Sequence, residues 1–153
     1  MISRRHFLLL GAFAPPVFAQ LDPNIAAKRK AALEEAIHAV TRGAPVRQGR
    51  VKLEVPPLVD NGNTVPISVT VGSPMTAADH VRVINVLTEK NPQPFVLTAH
   101  LGPRAGRASI SMRGRIADTG NVIAIAEMSD GSFWSDTVSV VVTLSACLED
   151  GLI

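Results

Sequence analysis

The sequence contains a single cysteine, Cys147, within the C-terminal stretch VVVTLSACLEDGLI. A cysteine reacts as its thiolate, so its chemistry depends on exposure and on neighbouring charge. One cysteine cannot form an internal disulfide, and the thiol is therefore either buried and inert or free to react with another molecule. The last predicted strand ends at Leu144, which leaves the sulfur within roughly 10 Å of the last core position. The residues alone leave both alternatives open.

No second group of residues has the spacing of a catalytic or metal site. His38, His80 and His100 follow no metal-ligand pattern, and His38 and His100 are predicted to lie on the surface. The sequence has no nucleophile elbow, phosphate-binding loop or dinucleotide-binding glycine pattern. Acidic residues are scattered singly along the chain. The sequence therefore predicts no cofactor, no metal and no catalytic activity of the chain itself.

The first 19 residues, MISRRHFLLLGAFAPPVFA, have the features of an export signal. Arg4 and Arg5 precede a short apolar run that ends in small residues at Ala19, which is typical of a cleaved signal peptide. The arginine pair resembles a twin-arginine signal. The run is shorter than a membrane span and is interrupted by two prolines. We therefore predict a cleaved signal peptide over residues 1–19, export to an oxidising compartment and no stable membrane insertion.

The charge of the remaining chain is balanced. The whole sequence has 15 Lys and Arg against 13 Asp and Glu, and removal of Arg4 and Arg5 leaves 13 of each sign. Such a balance gives no indication of nucleic-acid binding. Residues 20–144 have the length of one domain. Residues 145–153, which bear Cys147, form either a C-terminal arm that displays the thiol or a tail that packs against the domain.

A helix is predicted after Asp22-Pro23, because an N-cap residue followed by proline is typical of a helix start. Gly43 provides a stop. The apolar residues at helical spacing are Ile25, Ala32, Leu33, Ala36, Ile37 and Val40. The charged residues Lys28, Arg29, Lys30, Glu34 and Glu35 are predicted to form a solvated face. The helix is expected at one edge or end of the domain.

From Arg50 onward the apolar residues alternate with a period of two, which indicates strands. Seven short strands are predicted, in the segments beginning at Val51, Val65, His80, Pro94, Arg107, Asn121 and Val138. Turns rich in Gly, Pro, Asn and Asp separate them, and GPRAGR is interpreted as a hairpin turn. This pattern predicts a mainly β fold, an immunoglobulin-like antiparallel β-sandwich with one N-terminal helix. Trp134 is expected to pack at the end of the sandwich rather than to serve as a binding platform.

Several phrases of the sequence resemble the SoxY family, the sulfur-carrier subunit of the Sox thiosulfate-oxidation system. They are DNGNTVP at residues 60–66, SVTVGSPMTAADHV, VIAIAEMSDGSFW, the valine-rich last strand and the near-terminal cysteine, together with the twin-arginine leader. The resemblance implies an immunoglobulin-like fold, a periplasmic setting and a heterodimer with a SoxZ-type subunit. It also implies that residues 145–153 form a mobile C-terminal arm and that sulfur intermediates are held covalently on Cys147. The resemblance further implies three partner enzymes. A SoxAX-type haem enzyme conjugates thiosulfate to the thiol, a SoxB-type hydrolase releases sulfate, and a sulfane dehydrogenase oxidises the remaining sulfur.

The C-terminus departs from the family pattern. The family's arm ends Gly-Gly-Cys-Gly-Gly, whereas residues 145–149 here are SACLE and four residues follow. Glycines give an arm conformational freedom and a slim profile, while Leu148 and the apolar end add bulk. Glu149 and Asp150 disfavour the thiolate by like-charge repulsion. We therefore expect this chain to serve the usual partner enzymes less efficiently than its relatives do.

Three functions from different classes remain open at this point. A covalent carrier acquires sulfur adducts that reductant removes. A divergent non-carrier subunit only pairs with a SoxZ-type partner and keeps its thiol unmodified. A redox enzyme would need a second thiol, a metal or a cofactor, and the sequence shows neither a second cysteine nor a metal-binding or cofactor-binding motif.

Overall fold

The computed structural model of the protein describes residues 23–144. The predicted signal peptide, residues 1–19, and the predicted arm with Cys147, residues 145–153, lie outside the described residues. One helix, α1, precedes nine strands. Their bounds are α1 Pro23–Thr41, β1 Val46–Gln48, β2 Val51–Glu54, β3 Leu58–Asn61, β4 Val65–Val71, β5 Val81–Thr88, β6 Phe95–His100, β7 Ser109–Gly114, β8 Gly120–Met128 and β9 Phe133–Leu144.

The strands form two sheets that pack face to face. The larger sheet has the order β1-β9-β8-β5-β6, and β3 lies beside the far half of β9 on the same side as β1. The smaller sheet has the order β2-β4-β7. The predicted mainly β sandwich of immunoglobulin-like type is confirmed. Its pairings are antiparallel except at one edge, where β1 and β3 each run parallel to β9.

The main core lies between the two sheets and follows the alternation in the sequence. On β4 every second residue from Val65 to Val71 is buried, and the intervening residues face solvent or are half-buried. On β8 the inward positions are Val122, Ala124, Ala126 and Met128. Because a strand's side chains alternate between faces, the period of two in the sequence places these apolar residues on the inner faces.

The position of the helix differs from the sequence-based prediction. Instead of lying at an edge or end, α1 covers the outer face of the larger sheet, where Leu33 and Ala36 pack with Leu87, Ile125 and Phe133. The expectation was wrong because β5 and β8 carry apolar side chains on both faces. Their outer face therefore needs its own cover, as the central strand of a layered domain does.

The charged side of the helix also differs from its prediction at one residue. Arg29, which was expected on the solvated face, is 5% exposed. Lys28, Lys30, Glu34 and Glu35 are exposed as predicted. Within residues 23–144, no helix is both long and apolar enough to cross a bilayer.

Two strands and one connection were not anticipated. Strands β1 and β3 have three and four residues, with exposure patterns that lack apolar alternation. They form by backbone pairing to β9, which no local periodicity can signal. The segment GPRAGR is not a hairpin turn, because it contains one turn of 3₁₀ helix at Pro103–Ala105 and connects β6 of one sheet to β7 of the other.

Candidate functional site

The candidate site is the end of β9, from which the chain continues to Cys147. This strand is paired on both sides, with β8 along most of its length and with β3 near its end. The amide of Gly62 donates to the carbonyl of Leu144 at 3.2 Å, and the amide of Val142 donates to the hydroxyl of Thr119 at 3.0 Å. The backbone is thus hydrogen-bonded up to the last described residue.

The last buried residue of β9 comes earlier than the sequence predicted. Val142 is buried, whereas Leu144, predicted as an inward core residue, is 67% exposed. The side chain of Leu144 has the inward direction, but it is not buried because the smaller sheet does not cover the end of β9. Three residues span at most about 11 Å, and the covalent chain therefore keeps Cys147 within that distance of a firmly paired strand end.

A chain of polar contacts fixes β9 to its neighbours near this end. The hydroxyl of Ser139 donates to the side-chain oxygen of Asn121 at 2.7 Å. The side-chain amide and backbone amide of Asn121 donate to one carboxylate oxygen of Glu89, at 3.0 and 3.2 Å. The ammonium of Lys90 lies 3.1 Å from the other oxygen. These contacts join the three central strands of the larger sheet.

The carboxylate of Glu89 provides a prediction on pH dependence. Partial burial acts to raise the pKa of Glu89, but the Lys90 ammonium and the two donors of Asn121 outweigh it, and the pKa lies below its ordinary value. When the pKa of a carboxyl is lower in the folded chain than in the unfolded chain, ionisation of that carboxyl stabilises the fold. This stabilisation is complete at pH values above the pKa of the unfolded chain, and it is lost as the pH falls through the pKa of the folded chain. Glu89→Gln should therefore reduce the free energy of unfolding by about 0.5–1 kcal/mol at neutral pH.

Urea denaturation from neutral pH down to about pH 3 tests this prediction, since the difference between the two proteins should disappear as the carboxyl of the unfolded and then the folded chain is protonated. Glu35→Gln, which removes an exposed carboxylate from the helix, is the matched control and should show no such pH dependence. A difference for Glu89→Gln that stays constant over the whole range would contradict the prediction.

An exposed apolar patch lies beside the same strand end, and we call it the β3–β9 patch. Leu58 and Val141 are register partners on the outer face, with 60% and 49% of their surfaces exposed. Val141 was expected from the sequence to face outward, and it does. Isolated exposed apolar residues are common, but neighbouring ones on a paired strand indicate a contact surface.

The opposite end of the sandwich holds a buried carboxylate. Glu127 is 8% exposed, and one of its oxygens accepts from Arg42 at 2.9 Å and from Arg82 at 3.3 Å. The guanidinium of Arg42 also lies 5.4 Å from the ring centre of Phe133. A buried carboxylate needs such partners to offset its lost hydration, and these contacts tie the end of α1 to the sheet.

Trp134 lies at the same end, with its half-buried indole against the main core, as the sequence predicted. The guanidiniums of Arg47 and Arg50 lie 5.7 and 5.3 Å from its ring centre. The indole N–H donates to the hydroxyl of Ser132 at 3.1 Å, so the polar atom of the ring is satisfied. Sequence reasoning missed these arginines because the fold, and not their spacing, brings them to Trp134.

The histidines do not converge. His38 and His100 are exposed, as predicted, and His80 is half-buried with its ring Nδ1 3.0 Å from the carbonyl of Thr76. Among residues 23–144, no three His, Cys, Asp or Glu side chains lie close enough together to hold a metal ion. For Cys147, the sequence-predicted site residue, the structure places only its point of attachment at the end of β9.

The comparison with known protein families covers a part of the chain that includes Cys147. A family model described as sulfur oxidation protein SoxY matches residues 37–147, a range that includes Cys147 and excludes the tail after it. The chain is similar to the solved structure of the sulfur carrier protein SoxY from Chlorobium limicola f thiosulfatophilum, with 25% sequence identity and a TM-score of 0.62. The alignment covers 74% of this chain and 98% of that one.

Two structures of other proteins share the fold alone. A superoxide reductase (neelaredoxin) from Ignicoccus hospitalis is 20% identical, with a TM-score of 0.55 over 61% of this chain and 80% of that chain. A putative superoxide reductase from Thermotoga maritima is 21% identical, with a TM-score of 0.54 over 65% of this chain and 89% of that chain. No curated protein matches the chain by sequence.

Proposed function

Because this chain belongs to the SoxY family, we propose that it is a periplasmic sulfur carrier that holds thiosulfate-derived intermediates covalently on Cys147. The observation that carries the proposal is the extent of the family match, which continues from the helix through the sandwich and includes the cysteine. The similar structure from Chlorobium limicola is itself a sulfur carrier protein. The chain would act as a substrate-bearing protein for enzymes and not as a catalyst.

The proposed loading step is an oxidation. A sulfur–sulfur bond forms between Sγ of Cys147 and the sulfane sulfur of thiosulfate, the thiol proton is released, and an electron pair passes to a SoxAX-type haem enzyme. A SoxB-type hydrolase then uses water to release the terminal sulfone as sulfate, which leaves a persulfide on the cysteine. A sulfane dehydrogenase oxidises the outer sulfur to a sulfone with three oxygen atoms from water, and six electrons pass to its own acceptor as protons are released. Hydrolysis of this sulfone releases a second sulfate and returns Cys147 to the thiol. The carrier supplies a thiol and no acid, base or metal.

The described domain holds the start of the segment that bears Cys147 in a fixed position. The hydrogen-bonded end of β9 and the polar chain through Asn121 define where the segment with Cys147 begins. A fixed origin and a short tether limit the volume in which the thiol can be found. An enzyme that binds the domain would thereby meet the thiol at a high effective concentration.

We assign the β3–β9 patch to the SoxZ-type partner of the proposed heterodimer. Within residues 23–144, β3 is paired only with β9, so its other edge is open beside exposed Leu58 and Val141. An open strand edge next to apolar side chains is a surface that proteins ordinarily cover. A partner seated there would be close to the origin of the arm.

The double variant Leu58→Asp with Val141→Asp is expected to weaken binding of the SoxZ-type subunit by roughly 100-fold, or about 3 kcal/mol, because each change places a charge in an apolar contact. Isothermal titration calorimetry with the purified partner measures this. Thr70→Asp, an exposed change on the outer face of the smaller sheet, is the control and should leave the affinity within about twofold. An unchanged Kd for the double variant would remove the patch from the interface.

Intact mass spectrometry of the protein from thiosulfate-grown cells, with and without reductant, tests the carrier function. We expect a population heavier than the mature chain by sulfur or thiosulfate, which reductant returns to the unmodified mass. A thiol that is never modified under these conditions overturns the carrier function. The alternative is then a divergent subunit that only pairs with a SoxZ-type partner, and the departure of residues 145–153 from the family's glycine-rich end motivates it.

A further inference from the structure

Arginines are concentrated at the end of the sandwich opposite to Leu144. This arginine end is formed by residues 42–50, 72–80, 101–108 and 128–132 together with the adjoining strand positions. Six of the nine arginines in residues 23–144 lie there, against one of the four lysines. That lysine, Lys52, is paired with Glu54 at 2.7 Å. The six arginines are Arg42, Arg47, Arg50, Arg82, Arg104 and Arg107.

The acidic residues of this end are fewer, and their contacts are within the domain. Glu127 accepts from Arg42 and Arg82, and Asp79 lies 3.5 Å from Arg50. Asp130 accepts from the amide and the hydroxyl of Ser132, at 2.8 and 2.6 Å. Six arginines against these three carboxylates give a formal charge of +3, while the mature chain as a whole is balanced.

Several of the guanidiniums are held in place yet exposed. Arg47 and Arg50 lie on Trp134, and Arg42 lies on Phe133 with 65% of its side chain exposed. Arg42 has a φ of 55°, in the left-handed region that non-glycine residues seldom adopt, where it follows the helix end. Aromatic stacking orients the planar group and leaves its N–H donors directed outward.

Three of the arginines have no charge partner in the domain. Within residues 23–144, Arg47, Arg104 and Arg107 are exposed and make no ion pair with an acidic side chain. Arg47 lies over β9, whereas Arg104 and Arg107 lie between β6 and β7, on the other side of the domain. With strands about 4.8 Å apart, the free arginines are spread over roughly 15–20 Å.

We propose that the arginine end binds a carboxylate-rich surface of a partner protein. Arginine forms paired hydrogen bonds with carboxylates that lysine cannot form. Protein interfaces are enriched in Arg and Trp and depleted in Lys, which is the composition of this end. A general polyanion or a lipid surface would accept lysine equally well, and the strong excess of arginine over lysine here favours a protein partner.

The place of this surface in the fold separates it from the end that carries the arm. From Phe133 to Leu144, β9 advances by 11 residues, or about 36 Å. A protein bound at the arginine end leaves the segment beyond Leu144 and the β3–β9 patch uncovered. The carrier can therefore be retained by one protein while another reaches its thiol.

Binding of poly-L-glutamate by the full mature chain at low salt tests the proposal. The triple variant Arg47→Gln, Arg104→Gln and Arg107→Gln removes the three arginines without ion pairs and should weaken binding by about tenfold or more. The control Lys28→Gln, Lys30→Gln and Arg113→Gln changes the net charge equally at exposed positions outside the arginine end and should cost less than about threefold. Titration of amide NMR signals should place the shifts in residues 42–50 and 101–108.

Two outcomes would overturn the proposal. One is equal weakening by the two triple variants, which would show attraction by net charge alone. The other is binding to vesicles of phosphatidylcholine and phosphatidylglycerol without binding to poly-L-glutamate, which would assign this end to a membrane surface. The titration is repeated in a Cys147→Ser background, where poly-L-glutamate binding should be retained, so failure of sulfur carriage and failure of this proposal are distinguished.

Discussion

Replacement of Cys147 by serine should abolish sulfur carriage while leaving the domain folded. Serine has nearly the same size but cannot form a persulfide or a thiosulfonate, so the proposed intermediates have no attachment atom. Among residues 23–144, both packed clusters end at Val142, and we expect the thermal midpoint to stay unchanged. Thiosulfate consumption by a strain that depends on this chain measures carriage.

Ser145→Ala is the matched control for this variant. It removes a hydroxyl two residues before the cysteine and keeps the thiol, so thiosulfate consumption should remain near the wild-type rate. Undiminished consumption by the Cys147→Ser strain would refute the carrier function. Loss of thiosulfate consumption together with loss of the folded domain would indicate a structural role for the cysteine. Thermal unfolding followed by circular dichroism would detect the loss of the folded domain.

The second large effect is expected from Phe133→Ala, a change in the layer between the helix and the sheet. Phe133 is 2% exposed, and it packs with Leu33 and Ala36 of α1 and with Leu87 and Ile125 of the sheet. Truncation removes this contact and the ring beneath Arg42, and leaves a cavity. We expect a loss of about 3–5 kcal/mol in the free energy of unfolding, a large part of the 5–15 kcal/mol of a typical domain.

Urea denaturation measures this loss, and hydrogen exchange of residues 23–41 should show faster opening of the helix than of β8. Phe95→Ala deletes the same side chain at an edge position that is 39% exposed, and its cost should be below about 1.5 kcal/mol. Equal losses for the two phenylalanines would show that the ring of Phe133 does not hold the helix to the sheet.

Local patterns in the sequence were enough for most of the architecture. The alternation from Val65 to Val71 and the valine-rich run at the end of β9 depend only on which face of a strand is buried, and both segments are strands. The end of the helix before Gly43 likewise follows from residues next to each other in the chain. The family, too, was recognisable from contiguous phrases, and it is confirmed.

The sequence by itself thus determined the fold class, the family and the presence of a single cysteine. Only the tertiary structure decided that the helix lies on a sheet face, that β1 and β3 pair along β9, and that Leu144 is exposed. The tertiary structure also decided which charged side chains are in contact. Glu127 accepts hydrogen bonds from Arg42 and Arg82, which are 85 and 45 residues away in the chain. These features depend on contacts between segments distant in the chain, and their free energy comes from burial and backbone pairing that no local periodicity records.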